Sequence, residues 1–286
     1  MDGGNLNLIH FFLKFFVFLS KEPKHIIILE KRKSISDLVV KENERLSDNF
    51  SLLKLIPKGG VTLPNIYPGQ FVQVKVPNSE HTFLRRPISI CNFIAEEGEI
   101  WLLVRKAGEG TAVLCDMKVC EELNLIVPLG NGFKINEAED KVVLAGGGVG
   151  VAPLLYLGKK LKEAGKEVNF LIGTRGKKDL MLLDEFSKYG KVYISTEDGS
   201  AGEKGLITTN TVLNNSFDKL YCCGPLPMMK ALAGLCREKG MDCEVSLENV
   251  MGCGIGACLC CVEKTVKGNQ CVCTDGPVFN INQLTW

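Results

Sequence analysis

Between residues 36 and 133, apolar and polar positions alternate in short runs separated by turn residues. FSLLKLI (50–56) alternates, Pro68-Gly69 turns the chain, and QFVQVKV (70–76) alternates again. Further strands are expected at 87–91 and 100–104, with no helix before about Thr111. Strands this short and this closely spaced predict a small antiparallel β-barrel. The rhythm changes at Lys141. VVLA (142–145) reads as a buried strand, GGGVG (146–150) as a turn, and 152–164 as a helix stopped by Gly165. Strands at 168–172, 192–195 and 220–223 then alternate with helices at 184–189 and 227–239, which predicts a parallel α/β sheet. From about residue 240 neither period persists, and cysteine and glycine dominate. The fold class expected is β plus α/β: an antiparallel barrel (36–135), a parallel α/β domain (136–240) and a small C-terminal module (241–286). No internal repeat is visible.

The strongly apolar run LIHFFLKFFVFL (8–19) stands outside this scheme. It is shorter than the roughly 20 residues a bilayer span needs. It also lacks the basic start and small-residue cleavage site of a signal peptide. An interfacial anchor is one reading; an N-terminal extension outside the fold, covering 1–35, is the expected one, and a membrane role is not expected. At 286 residues there is room for two or three domains with cores. With 34 basic and 33 acidic residues, nothing points to nucleic acid. Thirteen cysteines, mostly in apolar contexts, suit a reducing compartment, so the cytoplasm is expected.

Six of those thirteen cysteines lie in the last 34 residues, at 253, 258, 260, 261, 271 and 273. Cys253, Cys258 and Cys261 have the spacing C-x4-C-x2-C, the plant-type arrangement for a [2Fe–2S] cluster. Two irons bridged by sulfides need four converging thiolates. Gly252, Gly254 and Gly256 let the backbone wrap such a cluster and aim N–H groups at its sulfurs. A zinc site from Cys258, Cys261, Cys271 and Cys273 would leave Cys253 and its glycines without a role. A disulfide framework does not suit a chain this long. Spacing alone leaves the fourth ligand open between Cys271 and Cys273, and Cys260 reads as a bystander.

Two further loops carry phosphate-binding features. Gly146, Gly148 and Gly150 lie between a strand and a helix, where a pyrophosphate could approach the backbone and the helix N-terminus. The pattern is not the usual G-x-G-x-x-G, and Pro153 opens the helix. Cys223, Gly224 and Pro225 end a later strand, so in a parallel sheet they can line the same crevice. In the barrel, Arg85 and Arg86 precede an apolar strand. The arginine fork suits phosphate, and Ser89 could bond a flavin edge. GEGT (108–111) opens a short helix. After the strand at 192–195 come Glu197 and Asp198, an acidic pair that would repel a 2′-phosphate and accept from a ribose diol.

These residues resemble the ferredoxin reductase family and, within it, the electron-transfer subunits of class 1B dihydroorotate dehydrogenase, from about Ser36 onward. RPIS (86–89) matches the family's flavin motif, LVR (103–105) the next flavin strand, and Gly110-Thr111 the pyrophosphate turn. PLGNGF (128–133) resembles the element that closes the barrel near the flavin. LAGGGVGVAP (144–153) and CGP (223–225) look like its dinucleotide loops. CGIGAC (253–258), Cys261 and CTDGPVF (273–279) are similar to its cluster module, whose fourth ligand precedes the acidic-Gly-Pro run; this favours Cys273. The resemblance implies FAD at Arg86, Pro87, Ile88, Ser89, Leu103, Val104, Arg105, Gly110 and Thr111. It implies NAD at the glycine loops and the cluster at Cys253, Cys258, Cys261 and Cys273. The extension, and the 11 residues between Cys261 and Cys273, depart from some relatives without removing a ligand.

The implied activity is oxidoreductase electron transfer in pyrimidine (UMP) biosynthesis, with FAD standing between a two-electron dinucleotide and a one-electron cluster. The implied partner is an FMN-containing dihydroorotate dehydrogenase catalytic subunit, in a heterotetramer with two of each chain. No catalytic base is expected here: His10, His25 and His81 sit in no motif. The rivals are the small flavin subunit of an NADH-dependent ferredoxin–NADP oxidoreductase or a sulfide or sulfite reductase, and a non-catalytic redox sensor. The former relatives commonly alter the first cluster ligand, whereas Cys253 is intact; two complete nucleotide sites would be surplus to a sensor.

Overall fold

The structure, a computed structural model, describes residues 33–79 and 81–286. The apolar run at 8–19 lies outside the described residues. Six strands, β1 (Ser34–Ser47), β2 (Phe50–Pro57), β3 (Phe71–Val74), β4 (Arg86–Ile94), β5 (Glu99–Arg105) and β6 (Glu122–Leu129), close a barrel. Its order is β1-β2-β5-β4-β3-β6, with every neighbouring pair antiparallel. Leu53 and Leu55, Val72 and Val74, and Leu102 and Val104 fill the interior at the period of two that a pleated strand imposes. Leu52, Phe71 and Leu103 point the other way yet stay buried, because the rest of the protein packs over that wall. Two expectations shift. Ser34 and Ile35 already belong to β1, so the barrel starts before residue 36. The first helix, α1 (Glu109–Cys115), begins two residues before Thr111.

The second sheet contains β7 (Lys141–Gly147), β8 (Glu167–Thr174), β9 (Lys191–Thr196), β10 (Glu203–Lys204), β11 (Lys219–Cys223) and β12 (Asp242–Ser246). Helices α2 (Ala152–Glu163), α3 (Leu183–Ser187) and α4 (Leu226–Lys239) connect them. The hairpin of β13 (Val262–Thr265) and β14 (Gly268–Cys271) follows, and then β15 (Val278–Asn280). The sheet order is β10-β9-β8-β7-β11-β12-β15, parallel except for β15. The cysteine-rich segment is therefore not a separate unit beginning at 241. Its first strand extends the parallel sheet beside β11, and its last covers the exposed edge of β12. Lys33–Trp286 form one compact unit. Tyr156 on α2 joins sheet to barrel: its Oη donates to the Ile66 carbonyl at 3.1 Å, and its ring meets Phe93 edge-on. Among the described residues, no helix is long and apolar enough to cross a membrane.

Candidate functional site

From β7 the chain runs to β8, β9 and β10 on one side, then returns to β11 and β12 on the other. The carboxyl ends of β7 and β11 thus flank the switch point where open α/β sheets bind ligands. Residues Gly146 and Cys223 are register partners there. The glycines permit the two loops to touch. A Cβ on Gly150 would stand 2.5 Å from the Cys223 carbonyl oxygen, and one on Gly147 2.6 Å from Met228 Sδ. Gly148, at φ +55°, faces open space instead. The expected dinucleotide residues Gly146, Gly148, Gly150, Cys223, Gly224 and Pro225 are therefore gathered at one crevice. Of the acidic pair, Asp198 is occupied locally. Its Oδ1 accepts from Ser200 N–H at 2.9 Å and Ser200 Oγ at 2.6 Å, and these bonds hold its carboxyl below the ordinary range. Glu197 is exposed beside it.

In the barrel the two arginines part company. Arg85 is tied to the wall, donating to the carbonyls of Gln73 (3.2 Å) and Asn124 (2.9 Å) and to the Asn124 side chain. Among the described residues Arg86 donates only to the Leu84 carbonyl, at 2.9 Å, and its Nε lies 3.2 Å from where a Gly110 Cβ would stand. The guanidinium thus lies over the start of α1, as a phosphate-binding arginine requires. Thr111 Oγ1 is spent within its own turn, accepting from Ala107 and Gly108 N–H, so only backbone groups remain available there. Pro87, Ile88 and Ser89 are half-buried, whereas Leu103 and Val104 are wholly buried and could offer a ligand only main chain. Arg105 is exposed. Glu248, absent from the sequence reading, lies near Arg105 and Cys223, and its charge adds to the burial that pushes the Cys223 thiol up. It is exposed by surface area yet crowded by protein, and that crowding pushes its carboxyl up, only partly offset by the Arg105 charge.

The cysteine loop draws N–H groups toward sulfur. Cys253 Sγ accepts from Ile255, Ala257 and Cys258 N–H at 3.3–3.4 Å, and Cys273 Sγ accepts from Gly256 N–H at 3.2 Å. Cys258 Sγ accepts from Cys253 N–H and Cys261 Sγ from Cys273 N–H, both at 3.4 Å. By these N–H···S contacts the cysteines pair as Cys253 with Cys258 and Cys261 with Cys273, and the Cys271 thiol also lies beside that of Cys261. Among the described residues, no trio of Cys, His, Asp or Glu is drawn together as a single-ion site. The C-x4-C-x2-C spacing together with backbone N–H groups converging on sulfur is what a [2Fe–2S] cluster held by four thiolates requires. Burial pushes the Cys253 thiol up, but the surrounding N–H donors and the Cys258 thiol outweigh it and bring it to about 6. Burial and the neighbouring Cys261 thiol push Cys273 up to about 12. No backbone N–H among the described residues is aimed at the sulfur of Cys271 or Cys260. Cys271 instead opens a turn, its N–H bonded to Asp275 Oδ2 at 2.7 Å, and Cys260 is exposed.

Barrel and cysteine loop meet at contacts the sequence reading missed. Asn131 Nδ2 donates to the carbonyls of Thr274 (2.8 Å) and Asp275 (3.1 Å), so the barrel-closing segment 128–133 docks on the turn after Cys273. Gln73, on β3, is fully buried against Gly254. Its sequence signal was a polar residue inside the otherwise apolar run FVQV. A cavity of about 400 Å³ near Lys41, Val61, Phe93 and Glu97 contains none of these residues.

Residues 248–285 match the family model of the iron-sulfur cluster binding domain of dihydroorotate dehydrogenase B, and residues 144–234 that of the oxidoreductase NAD-binding domain. The chain is 40% identical over 254 residues to the dihydroorotate dehydrogenase B (NAD+) electron transfer subunit of Shouchella clausii (strain KSM-K16), covering 86% of this chain and 96% of the relative. It is 38% identical to the subunit of the same name from Fusobacterium nucleatum subsp. nucleatum, with the same coverage. Among solved structures, an NADH-dependent reduced ferredoxin-NADP oxidoreductase aligns with a TM-score of 0.77 at 28% identity, over 90% of this chain and 91% of that one.

Proposed function

The chain belongs to the family of dihydroorotate dehydrogenase B electron transfer subunits, and from that premise we propose that it carries electrons between NAD and a separate dihydroorotate-oxidising subunit. The chain is an oxidoreductase subunit of pyrimidine biosynthesis, with FAD, a [2Fe–2S] cluster and NAD as its cofactors. The observation that carries the site assignment is the pairing of Cys253 with Cys258 and of Cys261 with Cys273 within one N–H-rich loop.

Arg86 would grip the FAD phosphates, with the backbone at Gly110 and Thr111 beside it. Pro87, Ile88 and Ser89 of β4 and the main chain of Leu103, Val104 and Arg105 would hold the ring. Gly146, Gly148 and Gly150 would admit the dinucleotide, and Cys223, Gly224 and Pro225 would leave room for its nicotinamide. Glu197, free of the Ser200 turn that occupies Asp198, would favour a ribose diol over a 2′-phosphate. When bound, FAD supplies the exchange of paired for single electrons. Cys253 and Cys258 reach the surface while Cys261 and Cys273 are buried, so the outer pair would face the partner. No residue at these positions need act as a general base, which leaves dihydroorotate chemistry to the other subunit.

We infer that the partner bears FMN, that two copies of each chain assemble, and that the setting is the cytoplasm, where thirteen free cysteines stay reduced. Mixing the holoprotein with an FMN-containing dihydroorotate dehydrogenase subunit tests the function. Dihydroorotate-dependent reduction of NAD+ should require this chain. Coupling only to ferredoxin and NADP+, the activity named for the solved relative, would overturn it.

A further inference from the structure

Gln73 is 0% exposed, and among the described residues neither its Nε2 nor its Oε1 has a hydrogen-bond partner. A buried carboxamide left unpaired is destabilising, so this one calls for an explanation. It lies against the cysteine loop. A Cβ on Gly254 would stand 2.5 Å from Gln73 Cγ and 2.7 Å from Nε2, and Gly254 holds φ +71°, so both space and backbone require glycine there. A bulge between Phe71 and Gln73 in the β3–β6 ladder accompanies this placement. On its other edge, Gln73 is the register partner of Pro87 in the RPIS strand. The side chain therefore stands between the strand assigned to FAD and the loop assigned to the cluster. The acceptors this loop offers include its sulfurs, which already attract the N–H groups of Ile255, Gly256, Ala257 and Cys258.

We propose that Gln73 Nε2 donates a hydrogen bond to the cluster, at the Cys253 thiolate or a bridging sulfide, and thereby raises its reduction potential. Reduction adds negative charge that spreads onto sulfur, so a donor at sulfur stabilises the reduced form more than the oxidised. The inference rests on the cluster assignment above and adds a tuning residue to it. Gln73 needs no contact with NAD, FAD or partner for this role.

The test is an EPR-monitored potentiometric titration of the full holoprotein, wild type against Gln73→Met, a straight apolar side chain of similar length. Iron and FAD content and the visible spectrum should match wild type. The cluster couple should move to more negative potential by a factor of about ten in its equilibrium constant, 59 mV for one electron, while the FAD couple stays in place. An unmoved cluster potential at full iron content would overturn the proposal; water or packing would then satisfy the amide. Should Gln73→Met lose iron, pulsed EPR of the wild type carrying ¹⁵N-amide glutamine decides. A hyperfine coupling from that nitrogen, retained in a Gln270→Ala background that removes the other unpartnered glutamine among the described residues, on β14 beside Cys271, supports the donor, and its absence overturns it. Absence of a [2Fe–2S] signal from wild-type protein would instead sink the assignment on which this inference stands.

Discussion

Two glycine-rich segments in this chain use the same residue for opposite purposes. In the turn at 146–150, glycine lets protein pack on protein: Gly147 and Gly150 are pressed against Met228 and the Cys223–Gly224 backbone. That turn is braced by sheet strands on both sides and needs no ligand to keep its shape. In the loop at 252–261, Gly254 and Gly256 adopt φ +71° and +85° so that N–H groups can turn inward toward sulfur. No strand lies between β12 and β13 to brace it. One segment is a socket made by the fold, and the other is a wrapping whose shape answers to what it wraps.

The sharpest way to break this contrast is at a cluster thiol. Cys273→Ser should abolish the visible and EPR signals of the cluster while leaving FAD content intact, whereas Cys271→Ser and Cys260→Ser should keep the cluster. Loss of the signal in Cys271→Ser alone would move the fourth ligand and undo the pairing with Cys261. Next in size is Gly150→Ala. Its methyl would meet the Cys223 carbonyl at 2.5 Å, and overpacking of that kind costs about 3 kcal/mol. Thermal unfolding should show the loss, with iron content unchanged. Gly148→Ala, where the space is open, should cost only the left-handed backbone penalty of about 1–2 kcal/mol. Equal effects at the two positions would mean that the loops do not brace each other.

Much of the socket was legible beforehand, and less of the wrapping. Strands β2, β5, β7, β8 and β11 announce themselves by alternation or by short apolar runs, and α2 and α4 by their period and a terminal glycine. β6 did not, since Pro128 sits inside it, nor did β12, whose Glu244 is buried in the sheet accepting the Lys134 N–H at 3.0 Å. The spacing of Cys253, Cys258 and Cys261 revealed a cluster loop. The choice of Cys273 over Cys271 rested on resemblance, and the Gly256 N–H now supplies a physical reason for it. The roles of Asn131 and Glu248 depend on segments far away in sequence, so no local pattern could expose them, and Gln73 left only the local sign of a polar residue within FVQV.

Smaller effects sharpen the account at its nucleotide sites. Arg86→Ala removes a charge-assisted contact of roughly 1.5–3 kcal/mol. The variant should purify depleted of flavin yet retain its iron; full FAD occupancy on dilution would mean that the guanidinium over Gly110 does not hold phosphate. The smallest effect expected is dinucleotide choice. kcat/KM for NADH should exceed that for NADPH by about tenfold, or ~1.4 kcal/mol, and Glu197→Gln should narrow the gap. A preference for NADPH in steady-state diaphorase assays would place Glu197 outside the pocket.

The central claim is that one chain connects a hydride carrier to a one-electron outlet. Anaerobic titration of the purified holoprotein with NADH, followed by flavin absorbance and low-temperature EPR, tests it without any partner. The account predicts that NADH bleaches the flavin and raises a reduced [2Fe–2S] signal in wild type, and that Cys273→Ser keeps the bleaching but loses the signal. Flavin bleaching in wild type with no cluster signal at full iron content would contradict it.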